Sequence, residues 1–379
     1  MVVREVFEVL YSPVKAFRKI IEKPDFKGVI LVLGLVISSM IVVQYVASSK
    51  LFLENRMPEN DDWTESLTNQ HNWLANGSPS IDGTDYKMGN SDGNHSIISS
   101  IPNEASIWMK LTDIGPLNSS EETGYTELFF WIKWTHEEES SPNSGTLKLF
   151  SGSEDSYFDT DITSFLASNG EWANATFNIG PEQGWTPTNS PDWQSITGLE
   201  FSLDWSASAN LTMKIDGLFF RKYVSFIELG GFGGVIQVAL INLALPFVIN
   251  LILWSGILII VGKLFQEDLG KWSVFFVIFG YAFIATFVYT IVNGLAISTL
   301  PPLNLPLDPT AANAAINELW TPLIAYQLSG YIPLIGEVWI AGLGAVVVRL
   351  MRETTWGKAA TIAAVAFGIR FLLRMFLGL

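Results

Sequence analysis

The sequence predicts a multi-domain membrane protein: a bundle of five transmembrane α-helices, with an all-β sandwich inserted between spans one and two. The 379 residues are 49% hydrophobic and only 16% charged, and the mean hydropathy is +0.31. The net charge of −15 is nevertheless confined to one region, because residues 50–222 contain nine Lys and Arg against 26 Asp and Glu. One acidic soluble domain therefore interrupts a nearly neutral, apolar chain. Its acidity argues against nucleic acid as a partner, since nucleic-acid binding requires basic side chains.

Each predicted span is a predominantly apolar run close to the roughly 20 residues that a helix needs to cross a bilayer core. The first lies between Lys27 and Lys50, and Pro246 predicts a kink in the second. The five predicted spans are 28–49, 235–262, 273–299, 331–350 and 358–377, with a loop at 300–330 between the third and the fourth.

The distribution of Lys and Arg predicts the orientation of these spans. Basic residues concentrate in segment 1–27 and in the short loops after spans two and four, whereas 300–330 contains none. Basic loops stay in the cytoplasm. We therefore expect a multi-pass protein of the plasma membrane, with its N-terminus in the cytoplasm and with residues 50–222, loop 300–330 and the C-terminus outside.

The N-terminal segment contains an amphipathic pattern between Ser12 and Pro24. Val14, Phe17 and Ile20 share one face, and cationic side chains surround the other. This pattern predicts a helix that lies on the cytoplasmic surface of the lipid bilayer. A docking helix for a cytoplasmic protein is the alternative.

Two ionisable residues are predicted to form a pair inside the membrane. Glu337 lies about 18 Å from the cytoplasmic end of span four, and Arg370 lies about 20 Å from the start of span five. An ion pair would lower the cost of both charges in lipid. The pair could fasten two helices together or, with Asn242, Asn250 and Asn293, belong to the path of a transporter.

Three stretches of the membrane part resemble the Yip family of Rab-interacting membrane proteins and their prokaryotic relatives. The stretches are VLYSPVKAFRKIIEKPDFKGVILVLGLVIS, GKLFQEDLGKWSVFFVIFGYAFIATFVYTIV and GEVWIAGLGAVVVRLMRETTWGKAATIAAVAFGI. The resemblance implies five spans and an organising or partner-binding protein with no chemistry of its own. The large domain after span one departs from the usual plan of that family.

Residues 50–222 show short alternating runs separated by Gly, Asn, Asp, Ser and Pro, which is typical of a β-sandwich. One face of YTELFFWIKWT and of ITGLEFSLDW is predicted to form the core. The opposite faces of the strands supply a candidate ligand-binding surface, because aromatic rings beside polar groups suit sugars. Packing beneath loops is the alternative. The proposed ligand-binding residues are Phe129, Trp131, Lys133, Phe150 and Asp204.

The run from YTELFFWIKWT to KIDGLFF resembles jelly-roll carbohydrate-binding modules. The resemblance implies a glycan ligand and, at Asp216 in the last strand, a structural calcium ion. Asp82 or Asp85 could add oxygen ligands. No other cofactor is expected.

Five Asn-x-Ser/Thr sequons all fall in this domain and agree with an exterior, glycosylated surface. They are Asn76, Asn94, Asn118, Asn174 and Asn210. The chain has no cysteine and only three histidines, and it contains no phosphate-binding glycine loop or serine elbow. We therefore expect a non-enzymatic protein that binds a cell-surface glycan or protein. The alternatives are an accessory subunit whose ectodomain caps a partner in a membrane complex, and a transporter component.

Overall fold

The computed structural model describes residues 2–67, 72–87, 93–120 and 124–377. The chain divides into two compact units. A helical unit comprises Met1–Leu53 and Val224–Leu379, and a β unit comprises Glu54–Tyr223.

The helical unit contains five helices that are long and apolar enough to cross a membrane, judged by length and composition over the described residues. These candidate spans are Phe26–Ser48, Phe226–Leu264, Trp272–Ser298, Ile324–Arg352 and Trp356–Leu373. The helices, in chain order, are α1 (Val2–Tyr11), α2 (Pro13–Glu22), α3 (Phe26–Ser48), α4 (Asp62–Glu65, in the β unit), α5 (Phe226–Ala239), α6 (Leu245–Leu264), α7 (Trp272–Gly280), α8 (Ile284–Ser298), α9 (Pro309–Leu319), α10 (Ile324–Arg352) and α11 (Trp356–Leu377).

The second candidate span is interrupted twice. Gly231 has φ 61° and ψ 171°, a left-handed conformation that glycine adopts without strain. A π-helical turn at Leu240–Ala244 then separates α5 from α6. Pro246, in the first turn of α6, has no backbone N–H and cannot continue a regular α-helix upstream. The kink predicted at Pro246 therefore takes the form of a π-helical turn just before it.

Two short helices precede the first span. Helix α2 begins at Pro13 and ends before Pro24, as its boundary signals predict. Its apolar face does not lie in lipid, because Phe17 and Ile20 are almost completely buried in the core of the helical unit. Protein therefore covers the apolar face, and the position of α2 on the cytoplasmic surface of the bilayer stays a prediction. An amphipathic pattern shows that one face is buried but does not distinguish lipid from protein as its cover.

Small residues allow the apolar helices to pack closely. A Cβ at Gly28 would lie 2.0 Å from the ring of Tyr281, and a Cβ at Gly336 would lie 1.9 Å from the ring of Tyr289. The hydroxyl of Tyr281 donates to the carbonyl of Asp25 at 2.9 Å, next to the start of α3. These contacts are of the small-residue type that fixes helix pairs in membranes.

The segment between α8 and α10 contains a short strand and an exposed helix. Leu51–Leu53 pair in parallel with Leu303–Leu305. Asp308 caps α9 by accepting a hydrogen bond from the amide of Ala311 at 2.7 Å. None of the residues of α9 is buried, so this helix is exposed along its whole length.

The strands of the chain, in order, are β1 (Leu51–Met57), β2 (Asn72–Ala75), β3 (Ser80–Asp82), β4 (Ser96–Leu117), β5 (Glu127–His136), β6 (Ser144–Ser151), β7 (Ser153–Asp161), β8 (Trp172–Asn178), β9 (Thr186–Thr188), β10 (Ile196–Ser225) and β11 (Leu303–Leu305). In the β unit, β4 and β10 pair along most of their length and belong to two sheets. The first sheet has the order β2–β4–β10–β6–β7–β9 and uses the Ile196–Asp204 part of β10. The second has the order β3–β4–β10–β5–β8 and uses the Leu211–Arg221 part. Irregular pairing near Ala209 marks the change of sheet, as is usual where strands turn a corner.

The two sheets enclose the predicted core. Phe130 on β5 contacts Phe201 on β10, with ring centroids 4.8 Å apart. The ring centroids of Trp134 on β5 and Trp205 on β10 are 5.8 Å apart. The predicted inward faces of YTELFFWIKWT and ITGLEFSLDW are buried throughout: they comprise Leu128, Phe130, Ile132, Trp134, Leu199, Phe201, Leu203 and Trp205. Alternation therefore predicted correctly which face of each strand points inward.

Candidate functional site

The outer face of the second sheet, called here the Trp131 face, carries three of the five predicted ligand-binding residues. Three of the rings on it contact cations of the same chain. Lys87 lies 5.6 Å from the Trp131 ring, Arg221 lies 4.7 Å from the Phe129 ring, and Arg56 lies 4.3 Å from the Phe219 ring. Lys87 belongs to the segment after β3 and to no strand, so this segment partly covers the Trp131 face, whereas Arg56 lies on β1, which pairs with β10.

Ion pairs hold the Asp82–Lys87 segment on this face. Lys214 bonds Asp82 at 2.6 Å and Asp85 at 2.7 Å, and Lys133 lies 3.0 Å from Asp85. Although burial opposes the charges of Asp85 and Lys214, their hydrogen bonds lower the pKa of Asp85 to about 2 and raise the pKa of Lys214. The hydrogen bond from Lys214 also holds the pKa of Asp82 well below its usual range. Asp82 and Asp85 are therefore occupied by lysines, which corrects their predicted role as calcium ligands beside Asp216.

The other two predicted ligand-binding residues, Phe150 and Asp204, lie on the outer face of the first sheet. The five residues therefore do not form one surface, which corrects the prediction that they do. Alternation places a residue on the outside of its strand but does not show which sheet the strand joins.

This second surface, the Trp108 face, has three aromatic residues on neighbouring strands: Trp108 on β4, Phe150 on β6 and Tyr157 on β7. Phe150 and Tyr157 pack edge to face, with ring centroids 6.4 Å apart. Gly198 on β10 pairs with both Thr112 and Phe150, and a Cβ at this position would lie 2.8 Å from the carbonyl oxygen of Leu111 and 3.3 Å from the Phe150 ring. Sequence reasoning missed Trp108 and Tyr157, although Trp108 shares the alternation of its run.

Two lysine–carboxylate pairs lie among these rings. Lys148 bonds Glu200 at 2.8 Å, and Lys110 bonds Glu154 at 2.6 Å. Lys148 also lies 5.3 Å from the ring of Tyr157. Within the described residues, all the charged groups paired here belong to the strands of the sheet itself. In contrast to the Trp131 face, the ionic contacts of the Trp108 face hold no loop over it.

Asp216, the predicted calcium ligand, is completely buried beside a second carboxylate, Asp61, which is 1% exposed. The hydroxyl of Thr64 lies within hydrogen-bonding distance of both carboxylates. Burial raises the pKa of Asp61 to about 8, and the neighbouring carboxylate of Asp216 contributes. Among the described residues, Asp61 Oδ2 has no hydrogen-bond partner. Sequence reasoning missed Asp61, which lies in an acidic run typical of a solvated loop.

A hard divalent cation fits this donor set. Calcium binds carboxylate oxygens, and its charge would compensate two buried carboxylates that repel each other. Over the described residues there is no group of three or more Asp, Glu, His or Cys side chains that could hold a metal ion. Asp61 and Asp216 would therefore need backbone or water oxygens to complete the coordination.

The five sequon asparagines differ in how free their side chains are. Asn76 donates to the carbonyl of Ser106 at 2.9 Å and accepts from the amide of Trp108 at 3.0 Å, so both ends of its amide are used. Asn118 and Asn210 accept hydrogen bonds from nearby groups. Glycosylation at Asn76, Asn94, Asn118, Asn174 and Asn210 stays a prediction, and Asn76 is the least suited of these residues.

In the helical unit, the structure brings Glu337 and Arg370 together. Arg370 donates from Nη1 to Glu337 Oε2 at 2.7 Å and from Nη2 to Glu337 Oε1 at 2.9 Å. Its Nε donates to Asn250 Oδ1 at 2.6 Å, and both charged residues are 5% exposed. Arg370 also lies 5.2 Å from the ring of Trp254. The guanidinium is thus bonded on three nitrogens in the bidentate geometry typical of strong arginine–carboxylate pairs.

A cavity of about 320 Å³ adjoins this pair. Asn242, Asn250, Pro246 and Pro333 contribute to its lining, together with apolar side chains. Asn293, the other asparagine considered for a transport path, does not line it.

Comparisons with known proteins concern the β unit. No protein-family model and no curated protein matches the chain, so the Yip resemblance stays a prediction. Among solved structures, a family 11 carbohydrate-binding module from Clostridium thermocellum in complex with a beta-1,3-1,4-mixed-linked tetrasaccharide is 10% identical, with a TM-score of 0.30 over 45% of this chain and 95% of that chain. A family 30 carbohydrate-binding module of a cellulosomal cellulase from Clostridium thermocellum is 13% identical, with a TM-score of 0.30 over 44% of this chain and 95% of that chain. These TM-scores are low, so the proposals below depend on the contacts of this chain alone.

Proposed function

We propose that this chain is a non-enzymatic, multi-pass membrane protein that displays a glycan-binding β-sandwich between its first and second spans, on the cell exterior. The five apolar helices support the membrane part of the proposal. The strongly acidic segment between the first two of them supports an aqueous position for the sandwich, because charges are costly in lipid.

The single observation that carries the glycan assignment is the composition of the Trp108 face. Partly exposed rings of Trp108 and Tyr157 offer apolar surfaces on which the C–H face of a sugar can stack. Lys148 and Glu200 lie beside these rings and provide a donor and acceptors for hydroxyl groups. Small-ligand sites generally combine an apolar lining with a few polar groups.

A glycan array tests this assignment with full-length protein in detergent. We expect binding by the unmodified protein, and binding that is about tenfold weaker after Trp108→Ala or Tyr157→Ala, since each removes one stacking surface. Trp131→Ala is the matched control, because it removes an aromatic ring from the other outer face. A protein that binds no glycan, or that loses binding only after Trp131→Ala, would refute the assignment to the Trp108 face.

We further propose that Asp61 and Asp216 hold a calcium ion that stabilises the sandwich. The raised pKa of Asp61 supports this proposal, since a cation would favour the ionised forms of both carboxylates. The ion would act on stability, and glycan binding would depend on it only through the fold.

A second candidate function is that of an accessory subunit in a membrane complex. The observation that favours it is the exposure of α9, which presents Leu319 to solvent at its C-terminal end, while Leu307 is exposed just before its N-terminal end. Stoichiometric copurification of a membrane partner, lost after Leu319→Asp and retained after Trp108→Ala, would support this function over glycan binding.

A further inference from the structure

A cavity of about 470 Å³ lies between α2 and the C-terminal end of α10. Four charged side chains line it: Arg18 and Glu22 from α2, and Arg349 and Glu353 from the end of α10. Within the described residues, none of the four takes part in an ion pair. Two positive and two negative charges therefore surround one cavity without neutralising one another by contact.

Neighbouring charges near the same end of α10 behave differently. Arg352 lies 3.7 Å from Asp268, and Lys358 lies 2.7 Å from Glu267. Since opposite charges nearby do find partners, the separation of the four charges around the cavity is a local feature that calls for its own explanation.

Arg349 gives the clearest indication that the cavity suits an anionic group. Its guanidinium lies 4.2 Å from the ring of Trp356, which fixes the side chain. Its Nε is buried and, among the described residues, has no hydrogen-bond acceptor. A buried donor without an acceptor destabilises a protein. An anionic group in the cavity would supply the acceptor, and Arg18 could bind the same group.

The length of α10 indicates the depth of this cavity in a membrane. With 29 residues, α10 is about 43 Å long, which matches the thickness of a bilayer including its headgroups. The last turn of α10, with Arg349, would therefore lie at the level of the lipid phosphates. Trp356, 48% exposed at the start of α11, is the kind of aromatic residue that is enriched at that level.

We propose that this cavity binds the zwitterionic headgroup of a phospholipid that carries a phosphate and a primary ammonium group, as in phosphatidylethanolamine. Arg18 and Arg349 bind the phosphate, and Glu22 and Glu353 accept hydrogen bonds from the ammonium. A purely anionic headgroup would bring its charge towards both carboxylates. A choline headgroup has no N–H to donate to them. The site belongs to the helical unit and does not depend on glycan binding.

Native mass spectrometry of full-length protein, exchanged from detergent into equal mixtures of phosphatidylethanolamine, phosphatidylcholine and phosphatidylglycerol, tests the proposal. The unmodified protein should retain phosphatidylethanolamine preferentially. The double variant Arg18→Gln/Arg349→Gln should retain it about tenfold less. Glu22→Gln/Glu353→Gln removes both negative charges and keeps the two arginines, so the lipid preference should change to the anionic phosphatidylglycerol. Arg352→Gln, which changes a cation bonded outside the cavity, is the matched control and should retain lipid as the unmodified protein does.

Equal retention of the three lipids by the unmodified protein would overturn the proposal. An unchanged lipid preference in the Glu22→Gln/Glu353→Gln variant would overturn it as well. If the arginine variant does not fold, the glutamate variant alone decides, because its expected result is an altered preference and not a loss. Displacement of the retained lipid by free O-phosphoethanolamine would overturn the lipid assignment and identify a soluble zwitterion as the ligand.

Discussion

The pair formed by Glu337 and Arg370 gives the sharpest test of the helical unit. Removing one partner of a buried ion pair leaves the other charge without compensation, which costs about 3–5 kcal/mol. We therefore expect Glu337→Gln and Arg370→Gln each to lower the free energy of unfolding by about that amount. The double variant retains neither charge, so its loss should be smaller than the sum by about 3 kcal/mol. Reversible unfolding of the full-length protein in mixed micelles, followed by circular dichroism, measures these differences.

The ion pair of Lys358 and Glu267 serves as a control for this cycle. The distance between its charged atoms is also 2.7 Å, but its lysine side chain is 39% exposed, and exposed pairs contribute about 1 kcal/mol or less. Its coupling energy should accordingly be small. If the effects of the Glu337 and Arg370 substitutions simply add, the two residues are not energetically coupled, and the contact does not fasten α10 to α11.

Three further predictions concern stability. Calcium should raise the melting temperature of the full-length protein, and Asp61→Asn should abolish that effect while Asp82→Asn, outside the carboxylate pair, should not. Without calcium, the free energy of unfolding should fall by about 1.4 kcal/mol per pH unit between roughly pH 4 and pH 8. In that range the folded chain keeps a proton at Asp61, whose pKa is about 8, while the unfolded chain releases it. A flat pH profile would contradict the raised pKa. Phe17→Ala should destabilise the helical unit by about 3–5 kcal/mol, because its ring is completely buried, whereas Tyr11→Ala, at a 72% exposed position, should have little effect in the same unfolding assay.

The features that depend on regular geometry could be predicted from the sequence. A helix rises by a fixed distance per residue, so the depths of Glu337 and Arg370 followed from counting, and the two side chains do meet. A strand alternates its side chains between two faces, so the burial of Phe130 and Phe201 also followed from the pattern. In both cases the geometry within one element was sufficient.

The assembly of elements could not be predicted in this way. Phe129 and Phe150 both point outward from their strands, but they lie on opposite outer faces, because β10 leaves one sheet near Ala209 and joins the other. Residues 206–210, SASAN, interrupt the alternation of β10, but this interruption does not show which sheet the strand joins next. The burial of Phe17 against other helices is a similar case, since lipid and protein would produce the same apolar face.

The carboxylate pair shows why charge patterns in the sequence are incomplete evidence for a site. Asp61 stands in a run of acidic residues that is indistinguishable from a solvated loop. Asp82 and Asp85 lie in the segment IDGTDYK, which was the segment predicted to supply metal ligands. In the folded chain the nearby lysines Lys214 and Lys133 neutralise Asp82 and Asp85. A carboxylate that already has a lysine partner has little to gain from a cation, whereas two buried carboxylates that face each other have much to gain. The distribution of counter-charges in the fold, more than the number of acidic residues in a segment, therefore selects Asp61 and Asp216 as the calcium ligands to test.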